Sequence, residues 1–177
     1  QSEAWDGRHA VVVAGDTAVY GPGAARPTGG AGAVAMLVTP RAPLVLEPFR
    51  VARAANAHDV FRPHGDRYPR VDGKGSLDCY LEGLRECAAA FPPGGHSRAI
   101  FHAPFCRLVQ KAWAALVAAQ GGADDPPGFR RQVAPSLTIA RACGNMWSAS
   151  LYAGLYSVLA EAPPAPGERI LAYSYGS

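Results

Sequence analysis

Two apolar runs, at 9–15 (HAVVVAG) and 33–39 (AVAMLVT), constrain the fold more than any other feature of the sequence. The first run is β-branched and continuous, which is typical of a strand buried on both faces, as in layered α/β folds. Pro40 ends the second run because proline has no N–H for the strand ladder. The connection between the runs is rich in glycine and proline, so the sequence predicts two strands joined by a turn-rich segment at 20–32.

The rest of the chain alternates between helical and extended patterns. The segment 43–75 is irregular, and we expect mostly loop with short helical pieces there. Downstream, the patterns predict a helix that is capped by Ser76 and ended by 92–95 (PPGG), followed by a strand at 99–101. The next predicted helix holds Pro104 in its first turn and runs through Ala119. After it we expect a loop at 121–128, an interrupted helix up to Ala142, a helix from Met146 to about Ala160 and a strand at 169–173. Strands that alternate with helices favour the α/β class.

Composition bounds the class of protein. With 177 residues, 49% of them hydrophobic, the chain can bury the core of about one domain. Its 17 basic residues are scattered among 14 acidic ones rather than gathered into a stripe, so we expect no nucleic-acid partner. No apolar run approaches the roughly 20 residues that span a bilayer, and the start of the chain lacks the pattern of a secretory signal, so we expect no membrane association.

The four cysteines form no C-x-x-C pair, and we expect buried free thiols rather than a zinc site or a disulfide framework. They are Cys79, Cys87, Cys106 and Cys143. His58, Asp59, His64 and Asp66 match no familiar metal-ligand spacing, so no metal site is expected.

The segment 101–111 (FHAPFCRLVQK) is the best candidate for chemistry on the residues alone. His102 lies between a predicted strand and a predicted helix, where open α/β sheets place their ligands. Arg107 and Lys111 are four residues apart and share one helix face, which suits anionic phosphates near a helix N-terminus. The alternatives are a capping or core histidine and a solvated basic face.

Two other features have plain structural interpretations. Asn145 and Ser76 each precede a predicted helix, so N-capping is the default role for both. The glycine segment at 21–32 lacks the pattern of a nucleotide-binding loop. A tight turn is the default for these glycines, although close approach of a ligand would need them as well.

Taken together, several stretches resemble the 3-hydroxy-3-methylglutaryl-coenzyme A (HMG-CoA) synthase family of the thiolase superfamily. They are WDGR at 5–8, GDTAVY at 15–20, ARPTGGAGAVA at 25–35, YPRVDGKGSLDCYL at 68–81, FHAPFCRLVQK at 101–111, GNM at 144–146 and SYGS at 174–177. They follow the family's order and cover nearly the whole chain.

The resemblance implies a partial thiolase-like fold with αβαβα layers. Residues 1–40 would be the end of the N-terminal half and 41–177 the start of the C-terminal half. It also implies the condensation of acetyl-CoA with acetoacetyl-CoA to HMG-CoA, on the mevalonate or ketone-body route, by an acetylated cysteine and a glutamate base. The acyl-CoA thioesters are substrates, no further cofactor is expected, and the family forms homodimers.

The resemblance assigns site roles one residue at a time. His102 matches the catalytic histidine that orients the acetoacetyl thioester and polarises its carbonyl. The positions that match substrate or CoA contacts are Thr28, Ser76, Arg107, Lys111, Asn145 and Ser177, and those that match pocket-shaping residues are Asp16, Tyr20 and Asp59.

The chain also departs from the family's pattern. Ala24 replaces an asparagine, Arg107 replaces a lysine, Trp147 replaces a tyrosine, and the segment before Tyr68 is one residue shorter. The family's nucleophile and base lie upstream of Trp5, and none of the four cysteines has the nucleophile's context. We therefore expect that this chain by itself does not form the acetyl-enzyme.

Two other functions stay open at this point. One is a non-catalytic CoA-binding module derived from such an enzyme. The other, which is less favoured, is a metal-dependent hydrolase that uses His58 and Asp59. We expect a cytoplasmic protein, with a mitochondrial location as the alternative.

Overall fold

The computed structural model describes residues 6–92 and 94–176, so Trp5 and the predicted site residue Ser177 lie outside the described residues. The elements are, in chain order, β1 (Ala10–Ala18), β2 (Gly30–Val38), β3 (Val60–Phe61), β4 (Arg70–Val71), α1 (Gly73–Ala90), β5 (Arg98–Phe101), α2 (Cys106–Ala119), α3 (Pro126–Gln132), α4 (Thr138–Cys143), α5 (Ala149–Glu161) and β6 (Ile170–Tyr173). Short 3-10 helices lie at Arg26–Thr28 and Ala134–Leu137.

Three strand pairs carry the sheet structure. β1 and β2 form an antiparallel pair with Ala10 opposite Val38. β3 and β4 form a short antiparallel pair, while β5 and β6 run parallel. The chain between β5 and β6 holds α2 to α5, which is the helical crossover that parallel strands need. This arrangement confirms the predicted α/β class.

β5 is the central strand of the buried core. On one face, Ala99 and Phe101 belong to a cluster with residues of α1 and α2, including Tyr80 and Val109. On the other face, Ile100 packs with Leu151 and other residues of α5. Side chains alternate between the two faces of a strand, so β5 lies between two helical layers. His102 follows this strand directly and is therefore held by the best-packed part of the molecule.

The prediction that the first strand is buried on both faces is wrong. One face of the β1–β2 pair packs on α5, through Ala14 and Val34 against the Met146 and Ala149 side chains. The opposite face leaves its apolar side chains exposed: Val11 and Val13 are 65% exposed and Leu37 is 60% exposed. The reason is that no described element covers that face, so burial stops at one layer.

Several predicted helix starts are also wrong. The side chain of Asp72 caps α1 by accepting a hydrogen bond from the Gly75 N–H (3.0 Å), so Ser76 lies in the first turn instead of at the cap. A carboxylate three residues before a free N–H is a strong cap, which explains the earlier start. α2 begins at Cys106, and Pro104 precedes it.

Other predicted boundaries shift as well. α5 begins at Ala149 rather than at Met146, and Asn145 therefore does not cap it. α3 begins inside the predicted loop at 121–128, because Asp125 caps it with Pro126 at the first helical position. The segment 43–75 contains β3, β4 and the first three residues of α1, and no separate short helix is described in it, so the short helical pieces predicted for it are wrong.

The cysteines are free, as predicted, but they are not fully buried. Cys143 is exposed, and the other three are half-buried because they lie on partly covered faces of α1 and α2. Among residues 6–92 and 94–176, no helix is long and apolar enough to cross a membrane.

Candidate functional site

The glycine-rich start of β2 is crossed at close range by the loop between α4 and α5. The Asn145 N–H donates to the Thr28 carbonyl (2.9 Å), and Gly29 pairs with Asn145 in a parallel bridge. A Cβ on Gly30 would overlap the Cys143 carbonyl oxygen, and one on Gly32 would overlap the Met146 sulfur. The glycines therefore permit the approach of another part of the chain, which is neither of the two roles that the sequence left open for them.

Asn145 is completely buried at this crossing, and its carboxamide is held on both sides. Oδ1 accepts hydrogen bonds from the Trp147 N–H (2.9 Å) and from Ser150 Oγ (3.1 Å). Nδ2 donates to the hydroxyl oxygen of Tyr20 (3.0 Å), which is 125 residues away in sequence. The crossing thus brings together Tyr20, Thr28 and Asn145, three of the residues that the sequence predicts for the site.

Trp147 has an unusual backbone conformation beside this group. Its φ is +44°, and among the described residues it is the only one other than glycine with a positive φ. Its indole ring lies 5.8 Å from the Tyr20 ring, centroid to centroid, at 55°. Such conformations cost about 1–3 kcal/mol and persist where the surroundings fix them, often at functional sites. The conformation of Trp147 therefore indicates a functional role for the loop between α4 and α5.

His102 is 6% exposed at the end of β5. Its backbone N–H donates to the Tyr173 carbonyl (2.8 Å), and its carbonyl accepts from the Tyr80 hydroxyl (2.8 Å). Burial lowers the pKa of the imidazole from 6.5 to about 4, because a charged ring loses its hydration there. At neutral pH the ring is uncharged, with one nitrogen as a donor and the other as an acceptor.

Asp59 is 5% exposed and is held by a tyrosine from the far end of the chain. Its Oδ2 accepts from the Tyr175 hydroxyl (2.9 Å), while its Oδ1 has no hydrogen-bond partner among the described residues. Burial, and then the hydrogen bond to Asp59, raise the pKa of Tyr175. The Tyr175 ring packs 5.2 Å from that of Tyr80, whose hydroxyl binds the His102 carbonyl. Asp59 and His102 thus belong to one connected group.

Ser76 joins this second group through the backbone. Its N–H donates to the Asp72 carbonyl (2.8 Å), and the Asp72 N–H donates to the Asp59 carbonyl (2.9 Å). No hydrogen bond or ring contact among residues 6–92 and 94–176 links this group to Tyr20, Thr28 and Asn145. The described structure therefore shows two separate clusters of predicted site residues.

The remaining predicted site residues stand apart from both clusters. Arg107 and Lys111 are exposed on α2, and neither forms an ion pair with a described acidic residue. Asp16 is exposed on β1, where its Oδ1 accepts from the Thr17 N–H (2.7 Å). The structure keeps the two cations free on one surface, where an anionic ligand can reach them.

A cleft of about 420 Å³ opens between the turn after β1 and the N-terminus of α1. Its lining residues are Tyr20, Gly21, Pro22, Gly23, Ala24, Ala25, Pro69, Arg70, Val71 and Gly73. Tyr20 is the one predicted site residue in this lining, and Ala24 places only a methyl group there.

The described residues give no support to a metal-dependent hydrolase. Within 6–92 and 94–176, no three His, Cys, Asp or Glu residues are grouped as metal ligands. His58 is exposed, whereas the neighbouring Asp59 is buried and bound to Tyr175.

Tyr80, Tyr175 and Ser150 are residues of these clusters that sequence reasoning missed. Tyr80 lies at helical spacing among apolar residues and is typical of a core position. Ser150 lies among small residues of α5. The sequence offers a signal only for Tyr175, which lies two residues after the last strand and within the SYGS stretch.

Replacement of Tyr175 by phenylalanine is expected to lower the free energy of unfolding by about 1–3 kcal/mol. The change removes the hydrogen bond to Asp59 and leaves a buried carboxylate without a described side-chain partner. Urea unfolding followed by circular dichroism measures the loss. Tyr156→Phe, which removes the same hydroxyl from an exposed position on α5, is the control, and equal effects of the two changes would contradict this account.

Comparison with known proteins identifies what this chain is similar to. A family model described as "Hydroxymethylglutaryl-coenzyme A synthase N terminal" matches residues 1–43, and one described as "Hydroxymethylglutaryl-coenzyme A synthase C terminal" matches residues 121–177. Together the two models match more than half of the chain.

Curated relatives match along the entire chain. A hydroxymethylglutaryl-CoA synthase of Ganoderma lucidum is 36% identical in an alignment of 235 residues. The alignment covers 100% of this chain and 50% of the relative. A mitochondrial hydroxymethylglutaryl-CoA synthase of Sus scrofa is 38% identical and covers 100% and 46% in the same terms. The chain thus spans about half the length of the curated relatives it matches.

Solved structures show the same similarity in the fold. An HMG-CoA synthase complexed with CoA superposes with a TM-score of 0.85 at 28% identity, over 96% of this chain and 46% of that one. MvaS in complex with 3-hydroxy-3-methylglutaryl coenzyme A superposes with a TM-score of 0.76 at 31% identity, over 87% and 45%. These likenesses confirm the predicted partial thiolase-like α/β fold. The boundary predicted at residues 40 and 41 stays a prediction.

Proposed function

Because the chain belongs to the hydroxymethylglutaryl-CoA synthase family, we propose that it forms the acyl-CoA-binding part of an enzyme that condenses acetyl-CoA with acetoacetyl-CoA to HMG-CoA. One observation carries the proposal. Tyr20, Thr28 and Asn145, which resemblance alone assigns to one acyl pocket, meet at a single crossing although Tyr20 and Asn145 are 125 residues apart. Solved relatives bound to CoA and to 3-hydroxy-3-methylglutaryl coenzyme A support the class of ligand.

The reaction needs a polarised ketone. A base removes a proton from the methyl group of the enzyme-bound acetyl, and the resulting carbanion attacks the ketone carbon of acetoacetyl-CoA. The new carbon–carbon bond pushes electrons onto the ketone oxygen, which then takes up a proton, and water finally hydrolyses the thioester that joins the condensed product to the enzyme. A neutral His102 is suited to donate its N–H to that oxygen, because charge develops there in the transition state.

The other residues of the chain bind rather than react. Arg107 and Lys111, exposed and without described ion pairs, are proposed to bind the phosphates of CoA. Thr28, Ser76, Asn145 and Ser177 are proposed to contact the acyl thioester, and Asp16, Tyr20 and Asp59 to shape the pocket. No metal or further cofactor is needed for these steps.

A non-catalytic CoA-binding module is the second candidate, and the cysteines are the observation that favours it. None of the four makes a described hydrogen bond to Tyr20, Asn145, Asp59 or His102, although Cys106 begins the helix that follows His102. We therefore propose that condensation through an acetyl-enzyme uses a nucleophile other than these thiols.

The test is the reaction itself. The full-length protein is incubated with acetyl-CoA and acetoacetyl-CoA, and mass spectrometry follows the products. Formation of HMG-CoA is expected; CoA binding with no product would favour the module instead. In parallel, the 177-residue chain is incubated with radiolabelled acetyl-CoA, and covalent label on any of its cysteines would overturn the expectation that it forms no acetyl-enzyme.

Charge reversal at Arg107 and Lys111 is expected to weaken CoA binding. Loss of two cation–phosphate pairs, at about 1 kcal/mol or more each, raises the Kd roughly tenfold or more. Isothermal titration of the Arg107→Glu/Lys111→Glu protein with CoA measures this change. The affinity for acetyl-pantetheine, which lacks the charged nucleotide end, should stay unchanged.

Arg85→Glu on α1 is the matched control for that experiment, because Arg85 is also exposed and also makes no described ion pair. Arg85→Glu changes the net charge by half as much as the double reversal. If it cost half of the binding free energy that the double reversal costs, the effect would be one of net charge and the assignment would fail.

Oligomeric state and location are proposed from the family and the sequence. We expect a homodimer in the cytoplasm. The relatives from Sus scrofa and Rattus norvegicus are named mitochondrial, which keeps that compartment as the alternative.

A further inference from the structure

The hydrogen bonds around Asn145 have determined directions. A backbone N–H can only donate, so the atom that faces the Trp147 N–H must be the carboxamide oxygen of Asn145. The contacts of Ser150 agree with this assignment: its Oγ accepts from the Met146 N–H (2.9 Å), and its own proton is available to donate to Oδ1. The other end of the carboxamide must then be Nδ2, which has only protons to offer.

It follows that the Tyr20 oxygen accepts from Asn145 rather than donating to it. The phenol keeps one proton, and no hydrogen bond from it to an acceptor is found among the described residues. Half-burial raises the pKa of Tyr20, so the hydroxyl is protonated at neutral pH. Tyr20 also lines the 420 Å³ cleft between the turn after β1 and the start of α1.

Trp147 fixes this arrangement from the other side. Its left-handed backbone presents the N–H to Asn145 Oδ1, and its indole packs against the Tyr20 ring. Three contacts thus connect Asn145, Tyr20 and Trp147 in a closed ring. They fix the position of the Tyr20 phenol, and they fix which lone pair of its oxygen accepts the hydrogen bond from Asn145. The strain at Trp147 is explained if a defined direction of the Tyr20 O–H matters for function.

We infer that the Tyr20 hydroxyl is a hydrogen-bond donor to a carbonyl oxygen of an acyl thioester bound in this cleft, and that Asn145 sets its direction. This inference rests on the proposed function and deepens it, since it turns a pocket-shaping residue into one that contacts substrate. The hydrogen bond from Asn145 also makes the phenol a stronger donor, because hydrogen bonds in a chain polarise one another.

The arrangement has a consequence for the choice of ligand. A carbonyl oxygen can accept from Tyr20, whereas a ligand with only a C–H or N–H group at that position cannot. It is unfavourable to leave the Tyr20 hydroxyl without an acceptor in a half-buried site. The cleft therefore favours ligands that place a carbonyl oxygen beside this hydroxyl.

Isotope-edited infrared spectroscopy tests the inference. The full-length protein is mixed with acetoacetyl-CoA carrying ¹³C at either the ketone or the thioester carbonyl, and the bound carbonyl bands are compared with those of the Tyr20→Phe protein. One of the two bands is expected to move to higher frequency in the variant, and the Kd for acetoacetyl-CoA is expected to rise roughly 2- to 13-fold.

A second substitution guards against a variant that fails to fold. Replacing Tyr20 with 3-fluorotyrosine keeps the size of the ring but lowers the pKa of the phenol, so the donor becomes stronger and the same band should move to lower frequency. Tyr156→Phe, which removes a hydroxyl from the exposed face of α5, is the matched control and should move neither band.

The outcomes separate the two proposals. If the unaltered protein binds acetoacetyl-CoA, but neither Tyr20 substitution moves a carbonyl band, the role of Tyr20 is wrong and the proposed function stands. If the unaltered protein binds no acyl-CoA, the proposed function fails and this inference fails with it.

Discussion

Replacement of His102 by alanine in the full-length protein is expected to lower kcat for HMG-CoA formation by roughly 10²- to 10⁴-fold. The side chain lies at the end of the best-packed strand, and burial keeps its imidazole neutral, so its N–H is available to a developing oxyanion at every pH above about 5. Steady-state kinetics with acetoacetyl-CoA as the varied substrate measures the change. Unchanged kcat and KM would show that His102 is a core residue and no more.

His102 also predicts how stability depends on pH. Its pKa is about 4 when the protein is folded and 6.5 when the side chain is free, so between these values the unfolded chain binds more protons. Stability is therefore lost as the pH falls from 6.5 to 4, by about 3 kcal/mol for this one group. Well above pH 6.5 the ring is neutral in both states and contributes no pH dependence.

Urea unfolding at about pH 7 and about pH 4.5 checks this dependence. The His102→Gln protein is expected to lose less stability between the two pH values than the unaltered protein, because the group that titrates is gone. His64→Gln, at an exposed histidine, is the control and should leave the loss unchanged. An equal loss in all three proteins would contradict the assignment.

The surroundings of His102 were predictable because the signals are local. An apolar strand, a histidine and an amphipathic helix follow one another within 101–111, and each element is specified by its own residues. The structure places β5, His102 and α2 there with helical layers on both faces of the strand. The strand begins one residue earlier than predicted, at Arg98, and the helix begins two residues later, at Cys106 instead of Pro104.

The contacts of Asn145 and Asp59 were not predictable because their partners are distant in sequence. Tyr20 lies 125 residues before Asn145, and Tyr175 lies 116 residues after Asp59. Residue type and spacing do not determine such pairs; resemblance to a family placed Tyr20 and Asn145 in one pocket without giving the hydrogen bond. The positive φ of Trp147 is equally invisible, since a bulky residue rarely adopts that conformation.

For the β1–β2 pair, the local sequence predicts the strands correctly but predicts too much burial. A run of three valines predicts a strand correctly, but it does not say how many layers cover that strand. Burial is a property of what packs on each face, and within the described chain α5, together with Ile139 of α4 and Met146 of the α4–α5 loop, packs on one face of this pair. The chain spans about half of its curated relatives, so full burial was an expectation drawn from a complete layered fold.

Replacement of Gly30 by alanine is expected to have the largest effect on stability, a loss of about 3 kcal/mol. The added Cβ would overlap the Cys143 carbonyl oxygen and would lie 2.9 Å from the carbonyl oxygen of Asn145. Both are backbone atoms that cannot rotate away, so the α4–α5 loop must move off β2. That movement would break the bond from the Asn145 N–H to Thr28 and would draw Asn145 away from Tyr20.

Gly73→Ala separates this steric effect from the general effect of losing a glycine. Gly73 begins α1 without a positive φ, and no atom lies within 4 Å of the position that an added Cβ would occupy. Alanine there should leave stability unchanged or raise it by up to about 1 kcal/mol. Urea unfolding measures both variants. A Gly30→Ala protein with unaltered stability would mean that the loop does not cross β2 at the described distance, and the assembly of Tyr20, Thr28 and Asn145 would fall with it.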